Sequence, residues 1–310
     1  MSGLAGRERG FAAQLCVRTE ERERMKFVLF TDLDGTLLDA NYSCEHVKPV
    51  VEELKRKGVP IVFCTTKTRA ECEYYRRELR INDPFIVENG SAIFIPVGYF
   101  TQLRCERRGN FCVLECVRVK YEDAVRALAE ISAEAGVRVK GFGDLTAEQV
   151  AEIAAMPLEL AKLAKRREYT ETFFFEHASE GGAAAVRKLS EEIERFFAAA
   201  EKRGFRISHG GRFYSIQEKN ADKGKAVRIL TNIFRREFGV VRTFGIGDSE
   251  NDIPMLRSVD CAALVRSRSS SGGAAVRSMN FYRASGFGAE GWIEIVKKFI
   301  LTQSFNERHV

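Results

Sequence analysis

The sequence predicts a doubly wound, Rossmann-like parallel α/β core that is interrupted by an inserted α+β cap domain. Short apolar runs alternate with amphipathic helical segments in the first and last thirds of the chain, which is typical of a parallel sheet covered by helices. Polar residues follow directly after several of these runs. The alternation is lost after about Arg104 and resumes at about Lys223, so we expect two separate stretches of chain to form the core.

Three apolar runs in the first hundred residues have the composition of buried strands. They lie at residues 27–30, 59–64 and 84–87. Helical periodicity separates them, at about residues 47–57 and 70–79. Because strands that are buried on both faces read as continuous apolar runs, we assign these segments to a parallel sheet.

The middle of the chain combines helices and strands in another order. Helices are predicted at residues 121–135, 146–155, 158–166 and 184–203, and strands at residues 111–119, 173–175, 205–208 and 213–216. A helix at residues 223–238 and a strand at 241–246 then restore the α/β order. The predicted organisation is an extension at 1–24, a first core segment at 25–104, a cap at 105–217 and a second core segment at 218–310.

The composition is that of an ordinary globular protein, with 45% hydrophobic and 30% charged residues among 310 and a formal net charge of +6. Because this positive excess is small and dispersed, we expect no nucleic-acid partner. No apolar run reaches the about 18 residues of a membrane-spanning helix, so we expect no membrane partner. Residues 1–24 lack the apolar segment of a signal peptide, which favours a disordered extension and a cytoplasmic protein.

The eight cysteines form neither a Cys-x-x-Cys pair nor the spacing of a zinc site. We expect most of them to be small buried apolar residues. Cys105, Cys112 and Cys116 lie close together in the sequence, so one disulfide among them stays open if the source is a hyperthermophile.

Asp32 and Asp34 follow the first predicted strand in the segment Thr-Asp-Leu-Asp-Gly-Thr. Ligands of open α/β sheets bind outside the carboxyl ends of the strands. One carboxylate there can attack phosphorus and hold Mg²⁺, while the other donates a proton to the leaving oxygen. A turn with capping aspartates is the alternative for an isolated Asp-x-Asp, but here other strand ends carry complementary groups.

Asp248 and Asp252 lie in a second acidic segment, Gly-Asp-Ser-Glu-Asn-Asp, which follows the strand predicted at 241–246. Such oxygen-rich clusters suit Mg²⁺, which takes one or two carboxylates together with water and substrate phosphate. An acidic helix start is the alternative. Thr65 follows the second strand and can bond a phosphoryl oxygen, and Lys223 opens a helix and can neutralise phosphate charge. Thr65 alone is equally typical of a helix cap, and Lys223 alone is more typical of a surface residue.

Together these residues resemble the four ordered motifs of the haloacid dehalogenase superfamily, and the insertion resembles a type IIB cap. Several stretches are similar to mannosyl-3-phosphoglycerate phosphatases, among them Thr-Thr-Lys-Thr-Arg at 65–69, Pro-Phe-Ile-Val-Glu-Asn-Gly at 84–90, Arg-Glu-Tyr at 167–169 and Gly-Gly-Arg-Phe-Tyr at 210–214. Two departures from the pattern of these phosphatases concern the specificity for the sugar. Thr-Glu-Thr at 170–172 replaces an expected Asp-Pro pair, and Ser91 replaces a glycine.

The resemblance implies a Mg²⁺-dependent phosphoric monoester hydrolase. Asp32 would be the nucleophile and Asp34 the general acid and then base. Mg²⁺ would bind Asp32, the carbonyl of Asp34 and Asp248, with Asp252 behind them, and Thr65 and Lys223 would hold the phosphoryl group. The implied reaction is hydrolysis of mannosyl-3-phosphoglycerate to mannosylglycerate, a compatible solute, through an aspartyl-phosphate. Glucosyl-3-phosphoglycerate, sucrose phosphate or another sugar phosphate are alternative substrates; a phosphomutase and a non-catalytic binding module are further alternatives.

The predicted partner is thus a small anionic sugar phosphate. Arginine and lysine side chains suit its carboxylate and phosphate groups, and polar or aromatic residues suit its sugar. The predicted substrate-binding residues are Lys67, Arg69, Glu88, Asn89, Gly90, Arg167, Tyr169, Arg212 and Tyr214. Solvated charge and turn formation are the alternative roles of these residues.

Overall fold

The computed structural model describes residues 26–176, 183–210, 213–267 and 281–302. The extension predicted at residues 1–24 lies outside the described residues. The strands are β1 (Lys26–Thr31), β2 (Ile61–Cys64), β3 (Phe85–Val87), β4 (Ala92–Pro96), β5 (Glu106–Arg108), β6 (Phe111–Glu115), β7 (Val139–Gly141), β8 (Glu171–Phe175), β9 (Phe205–Gly210), β10 (Phe213–Glu218), β11 (Val241–Gly247), β12 (Cys261–Arg266) and β13 (Tyr282–Phe287).

The helices agree closely with the helical periodicity of the sequence. They are α1 (Lys48–Arg56), α2 (Arg69–Glu78), α3 (Tyr121–Ala135), α4 (Ala147–Ala154), α5 (Leu158–Ala164), α6 (Ala183–Lys202), α7 (Lys223–Phe238), α8 (Ile253–Leu256) and α9 (Gly288–Val296). Within the described ranges, none of these helices is both long and apolar enough to cross a membrane.

The chain divides into two compact units. The core unit comprises Met1–Lys67, Cys72–Leu114 and Asp222–Val310, and the inserted unit comprises Thr68–Glu71 and Glu115–Ala221. The core unit is therefore built from stretches that flank the inserted unit on both sides.

The core unit contains a nine-stranded sheet with the order β13-β12-β11-β1-β2-β3-β4-β6-β5. Its central strands are parallel, and Thr31 at the end of β1 lies beside Ile246 of β11 and Phe63 of β2. Apart from the exposed Lys26 and the half-buried Arg242, the residues of β1, β2 and β11 are buried, as the continuous apolar runs predict. The α/β fold class is thus confirmed, and the carboxyl ends of β1, β2 and β11 meet at one edge of the sheet.

The hairpin of β5 and β6 corrects the predicted start of the cap. We placed residues 105–114 in the cap, but β6 lies beside β4 in the core sheet, so the core unit extends to Leu114. A disulfide links Cys105, the residue before β5, to Cys112 of β6. Neither this long-range pairing nor β4, β7, β12 and β13 is among the sequence predictions.

The inserted unit contains an antiparallel sheet with the order β7-β8-β10-β9. Its apolar core is formed by Leu128 and Ile131 of α3, Phe173 of β8, Phe196 of α6 and Ile216 of β10. The order of helices and strands is the α+β arrangement that the sequence predicts. The predicted end of the cap at residue 217 lies four positions before the end of this unit at Ala221.

Candidate active site

Polar residues follow three neighbouring parallel strands of the core sheet. Asp32 comes directly after β1, Thr65 after β2 and Asp248 after β11. Because these strands are parallel and adjacent, their carboxyl ends place the three residues at the same edge of the sheet. The other two predicted catalytic residues do not follow a strand directly. Lys223 is the first residue of α7, and Asp34 lies in the segment Leu33–Leu37.

Lys223 reaches the site from the first turn of α7. This helix begins after Asp222, whose carboxylate accepts a hydrogen bond of 2.7 Å from the backbone N–H of Lys225. The Nζ atom of Lys223 is buried and lies 3.0 Å from Oδ1 of Asp32 and 2.7 Å from Oδ1 of Asp252. Burial alone would lower the pKa of Lys223, but the two carboxylates outweigh burial and raise this pKa above its ordinary value. Lys223 is therefore a permanent positive charge beside Asp32.

Asp252 holds the loop that follows β11. Its Oδ2 atom accepts hydrogen bonds from the backbone N–H groups of Asp248 (3.0 Å) and Ser249 (3.2 Å), while Oδ1 faces Lys223. Both oxygens of this fully buried carboxylate thus have partners within the protein. Asp252 thus holds both the Asp248 loop and Lys223 in place, and its position behind a metal ion stays a prediction.

Carboxylate oxygens of Asp32, Asp248 and Asp252 lie within 4.8 Å of one another. Burial raises the pKa of Asp32 to about 7 although Lys223 opposes this rise. Burial is also the main reason why the pKa of Asp248 lies well above its usual range; Asp252 and Asp32 raise it further, and a hydrogen bond with Ser267 opposes them. So much negative charge in a buried place is stabilised by a cation, and an all-oxygen donor set suits Mg²⁺. The residues present therefore fit a divalent ion, which the cluster of Asp32, Asp248 and Asp252 could hold.

The segment Leu33–Leu37 forms a wide turn after Asp32, closed by a 2.9 Å hydrogen bond from the backbone N–H of Leu38 to the carbonyl of Leu33. Gly35 has φ +68°, and a Cβ atom added there would lie 2.7 Å from Oδ2 of Asp248. The hydroxyl of Thr36 donates to Oδ1 of Asp248 at 3.4 Å. The turn and the acidic loop after β11 are therefore packed too closely for any residue but glycine at position 35.

Asp34 lies on this turn with its carboxylate outside the three-aspartate cluster. Its Oδ2 atom is 3.1 Å from Nζ of Lys67, and its side chain is 42% exposed whereas that of Lys67 is 4% exposed. The ammonium of Lys67 also lies over the rings of Tyr42 and Tyr75, at 5.2 and 5.8 Å from their centroids. When it is protonated, this partly exposed carboxyl group can donate a proton to a leaving group, and the contact with Lys67 fixes its position. Lys67, a predicted substrate-binding residue, thus contacts Asp34, and its binding to substrate stays a prediction.

The family model for haloacid dehalogenase-like hydrolases matches residues 29–103 and 153–270 of this chain. The chain belongs to the haloacid dehalogenase-like hydrolases. A phosphatase from Persephonella marina named for both glucosyl- and mannosyl-3-phosphoglycerate is 42% identical over 241 residues, which are 77% of this chain and 84% of that protein. The mannosyl-3-phosphoglycerate phosphatase of Pyrococcus furiosus is 43% identical over 239 residues, 77% of this chain and 90% of its own.

Solved structures are similar in fold. A Thermoplasma acidophilum protein superposes with a TM-score of 0.62 at 20% identity, covering 90% of this chain and all of its own. A sugar phosphatase of haloacid dehalogenase subclass IIB gives a TM-score of 0.57 at 19% identity, covering 89% of this chain and all of its own. These similarities confirm the predicted family and its fold with a cap domain.

In this haloacid dehalogenase-like hydrolase, Glu88, Asn89 and Gly90 form a turn that supports the loop after β2. The backbone N–H of Asn89 donates to the carbonyl of Thr65 (3.0 Å), and that of Glu88 donates to the carbonyl of Lys67 (3.1 Å). Glu88, Asn89 and Gly90 all have positive φ angles, and a Cβ atom at Gly90 would lie 2.4 Å from the carbonyl oxygen of residue 222. All three residues were predicted to bind substrate; their described contacts position the Thr65 loop and the start of α7.

Two of the predicted substrate-binding arginines make ion-pair or hydrogen-bond contacts within the inserted unit. The Nε atom of Arg69 lies 2.6 Å from Oε1 of Glu168. Arg167 donates from Nε to both the carbonyl and the hydroxyl of Thr170 at 3.0 Å. A third predicted arginine, Arg212, lies outside the described residues.

The two predicted tyrosines are part of the inserted unit's own packing. Tyr169 is 1% exposed, and its hydroxyl donates to Oε1 of Glu115 at 3.0 Å. Tyr214 packs against Phe173 and Phe175, with ring centroids 5.7 and 4.9 Å away. Tyr169 would therefore have to be uncovered before it could contact a sugar.

Thr36 and Ser267 are site residues that the sequence predictions missed. Both bond the carboxylate of Asp248. Thr36 could have been found, because it ends the Asp-Gly-Thr segment that follows Asp34. Ser267 carries no such signal, because it lies in a stretch of serines and arginines without a motif.

Proposed function

We propose that this protein is a phosphatase that hydrolyses mannosyl-3-phosphoglycerate to mannosylglycerate and inorganic phosphate. The observation that carries the proposal is the buried contact of 3.0 Å between Lys223 and Asp32, beside the carboxylates of Asp248 and Asp252. This arrangement supplies a nucleophile, a positive charge for the phosphoryl group and oxygen ligands for a cation. The similarity to phosphatases named for this substrate, at 42–43% identity, supports the same conclusion.

In the first half-reaction, an oxygen of Asp32 attacks phosphorus, and the bond between phosphorus and the oxygen on carbon 3 of the glycerate breaks. Asp34 gives its proton to that oxygen, so the leaving group departs as a neutral alcohol. In the second half-reaction, Asp34 takes a proton from water, and the water oxygen attacks phosphorus of the aspartyl-phosphate. Phosphate leaves, and Asp32 and Asp34 return to their initial states.

The charge that builds up on the phosphoryl oxygens needs stabilisation inside a buried site. Lys223 provides a fixed positive charge, and the hydroxyl of Thr65 is placed at the same sheet edge to donate a hydrogen bond. A divalent cation bound by Asp32, Asp248 and the carbonyl of Asp34 would supply Lewis-acid stabilisation of the phosphoryl group. Asp252 keeps Lys223 and the Asp248 loop in place for this step.

Glucosyl-3-phosphoglycerate is the second candidate substrate. The Persephonella marina relative is named for both sugars, as is one from Methanococcoides burtonii that is 41% identical over 279 residues. The two substrates differ only in the configuration of one sugar hydroxyl group. Hydrolysis of both with similar kcat/KM would make this protein a phosphatase with dual specificity.

A phosphate-release screen tests the proposal. Purified protein with Mg²⁺ is assayed on mannosyl-3-phosphoglycerate, glucosyl-3-phosphoglycerate, sucrose phosphate and an aryl phosphate, and Asp32→Asn serves as the blank. We expect the highest kcat/KM for a sugar phosphoglycerate. A preference for sucrose phosphate would replace the proposed substrate, and transfer of the phosphoryl group within the substrate would indicate a mutase. Equal release by the protein and the blank would refute a phosphatase at this site.

A further inference from the structure

Trp292 is a fully buried residue of α9 that bonds the residue immediately before Asp32. Its indole Nε1–H donates a 3.0 Å hydrogen bond to Oγ1 of Thr31, and the hydroxyl of Thr31 donates a 2.8 Å hydrogen bond to the carbonyl of Asp32. Trp292 and Thr31 are each 0% exposed. The two bonds form a chain from α9 to the backbone of the nucleophile, in which each bond polarises the next.

The backbone of Asp32 is held on both sides. Its N–H group donates to the carbonyl of Ile246 in β11 at 3.0 Å, and its carbonyl accepts from Thr31. This carbonyl belongs to the peptide group that begins the turn Leu33–Leu37, which carries Asp34. Orientation of this one peptide group therefore affects both the nucleophile and the acid.

The first residue of α9 lies against the same turn. Gly288 has φ +50°, and a Cβ atom added there would lie 3.4 Å from the carbonyl oxygen of Leu38 and 3.6 Å from that of Gly35. Gly288 at the start of α9 thus lies against the turn Leu33–Leu37. Trp292, one helical turn further along α9, contacts Thr31. The contact of Gly288 is independent of the indole hydrogen bond.

We propose that Trp292 and Thr31 are positioning residues for the phosphoryl transfer, which orient the peptide group of Asp32 from α9. The proposal rests on the phosphatase function proposed above. Both side chains are fully buried, so we expect them to act on kcat through the geometry of Asp32 and Asp34. A misplacement of a nucleophile by a fraction of an ångström is enough to slow an in-line displacement.

Thr31→Val and Thr31→Ser separate the hydroxyl from the packing at this position. Valine keeps the shape of threonine but removes both hydrogen bonds, whereas serine keeps the hydroxyl. We expect Thr31→Val to lower kcat on an aryl phosphate about tenfold, with KM changed less than about twofold. Thr31→Ser should keep most of the activity. The matched control is Thr243→Val. It removes a buried, hydrogen-bonded hydroxyl group from the part of β11 that lies away from Asp32, beside Val28 of β1.

The chain contains a single tryptophan, so a tryptophan analogue tests position 292 alone. Replacing tryptophan throughout by benzothienylalanine exchanges the indole N–H for sulfur and nearly keeps the ring shape. We expect about a threefold loss of kcat in the wild-type background and no further loss in Thr31→Val, because both changes break one chain of bonds.

Turnover is expressed per folded molecule, with the folded fraction taken from near-ultraviolet circular dichroism. Equal kcat for Thr31→Val and Thr243→Val would overturn the positioning role, as would additive losses from the analogue and Thr31→Val. In both cases hydrolysis by the wild type would leave the phosphatase function standing. Absence of hydrolysis by the wild type, with Asp32→Asn as the blank, would overturn the function and the positioning role together.

Discussion

Replacing Lys223 by methionine removes one buried charge while nearly keeping the shape of the side chain. The ammonium lies 2.7 Å from Asp252 and 3.0 Å from Asp32. Lys223→Met therefore leaves two buried carboxylates without their shared positive partner. We expect this variant to lose both stability and turnover.

The size of the stability loss follows from these distances. At an effective dielectric constant of about 20, each contact contributes roughly 6 kcal/mol of Coulomb attraction. The cost of burying the lysine offsets much of this, and removing one partner of a buried pair typically lowers stability by about 3–5 kcal/mol. The second substitution Asp252→Asn should recover part of that loss, because it removes one of the two uncompensated charges, but it should not recover turnover.

Urea unfolding in the presence of EDTA measures the effect without a cation to replace the lost charge. Lys162→Met is the matched control, because the Nζ atom of Lys162 lies 2.7 Å from Glu159 in an ion pair that is 50% and 78% exposed. We expect no measurable change in that control, since exposed ion pairs contribute little. A loss of less than about 1 kcal/mol in Lys223→Met, or recovery of turnover in the double variant, would refute this account of the site.

Three further outcomes follow from the site. Asp34→Asn should slow turnover by roughly 10²–10⁴-fold, and near wild-type rates would remove Asp34 as the proton donor. EDTA should abolish phosphate release and Mg²⁺ restore it, with Ca²⁺ a poor substitute because of its looser coordination; activity after exhaustive metal removal would exclude the cation site. Gly35→Ala should lose activity through its 2.7 Å approach to Asp248, whereas Gly58→Ala, with φ +66° and nothing within 4 Å, should lose only some thermal stability.

The central sheet was predictable because its strands are buried on both faces. Apolar runs before Asp32, Thr65 and Asp248 mark the ends of β1, β2 and β11 without knowledge of their neighbours. The hairpin of β5 and β6 was not predictable, because its position beside β4 depends on long-range strand pairing that a local sequence pattern does not encode. The start of the cap was therefore placed ten residues too early, at 105 instead of Glu115.

The acidic residues of the site were predictable from their positions after strands, and Lys223 from its position at the start of a helix. The partners of these residues were not predictable. Lys67 stands near Arg69 in the sequence and looks like a substrate ligand, whereas in the fold it pairs with Asp34. Tyr169 has the amphipathic character of a sugar-binding residue, yet tertiary packing buries it. No sequence pattern indicated that Trp292 belongs to the site, because its contact with Thr31 joins segments that are 261 positions apart.

The order in which the site residues leave the ribosome has a consequence for synthesis. Lys223 stands 191 positions after Asp32, which corresponds to roughly 10–40 s of translation. During this interval β1 has emerged while its neighbour β11 has not, and Glu115–Ala221, the long stretch of the inserted unit, emerges as a whole. A nascent chain therefore carries Asp32 in an open sheet edge, without Lys223 and Asp248. Products of stalled or truncated synthesis that end before β11 lack Asp248, and those that end before α7 lack Lys223 as well. Phosphatase turnover therefore begins only after β11 and Asp248 have been made.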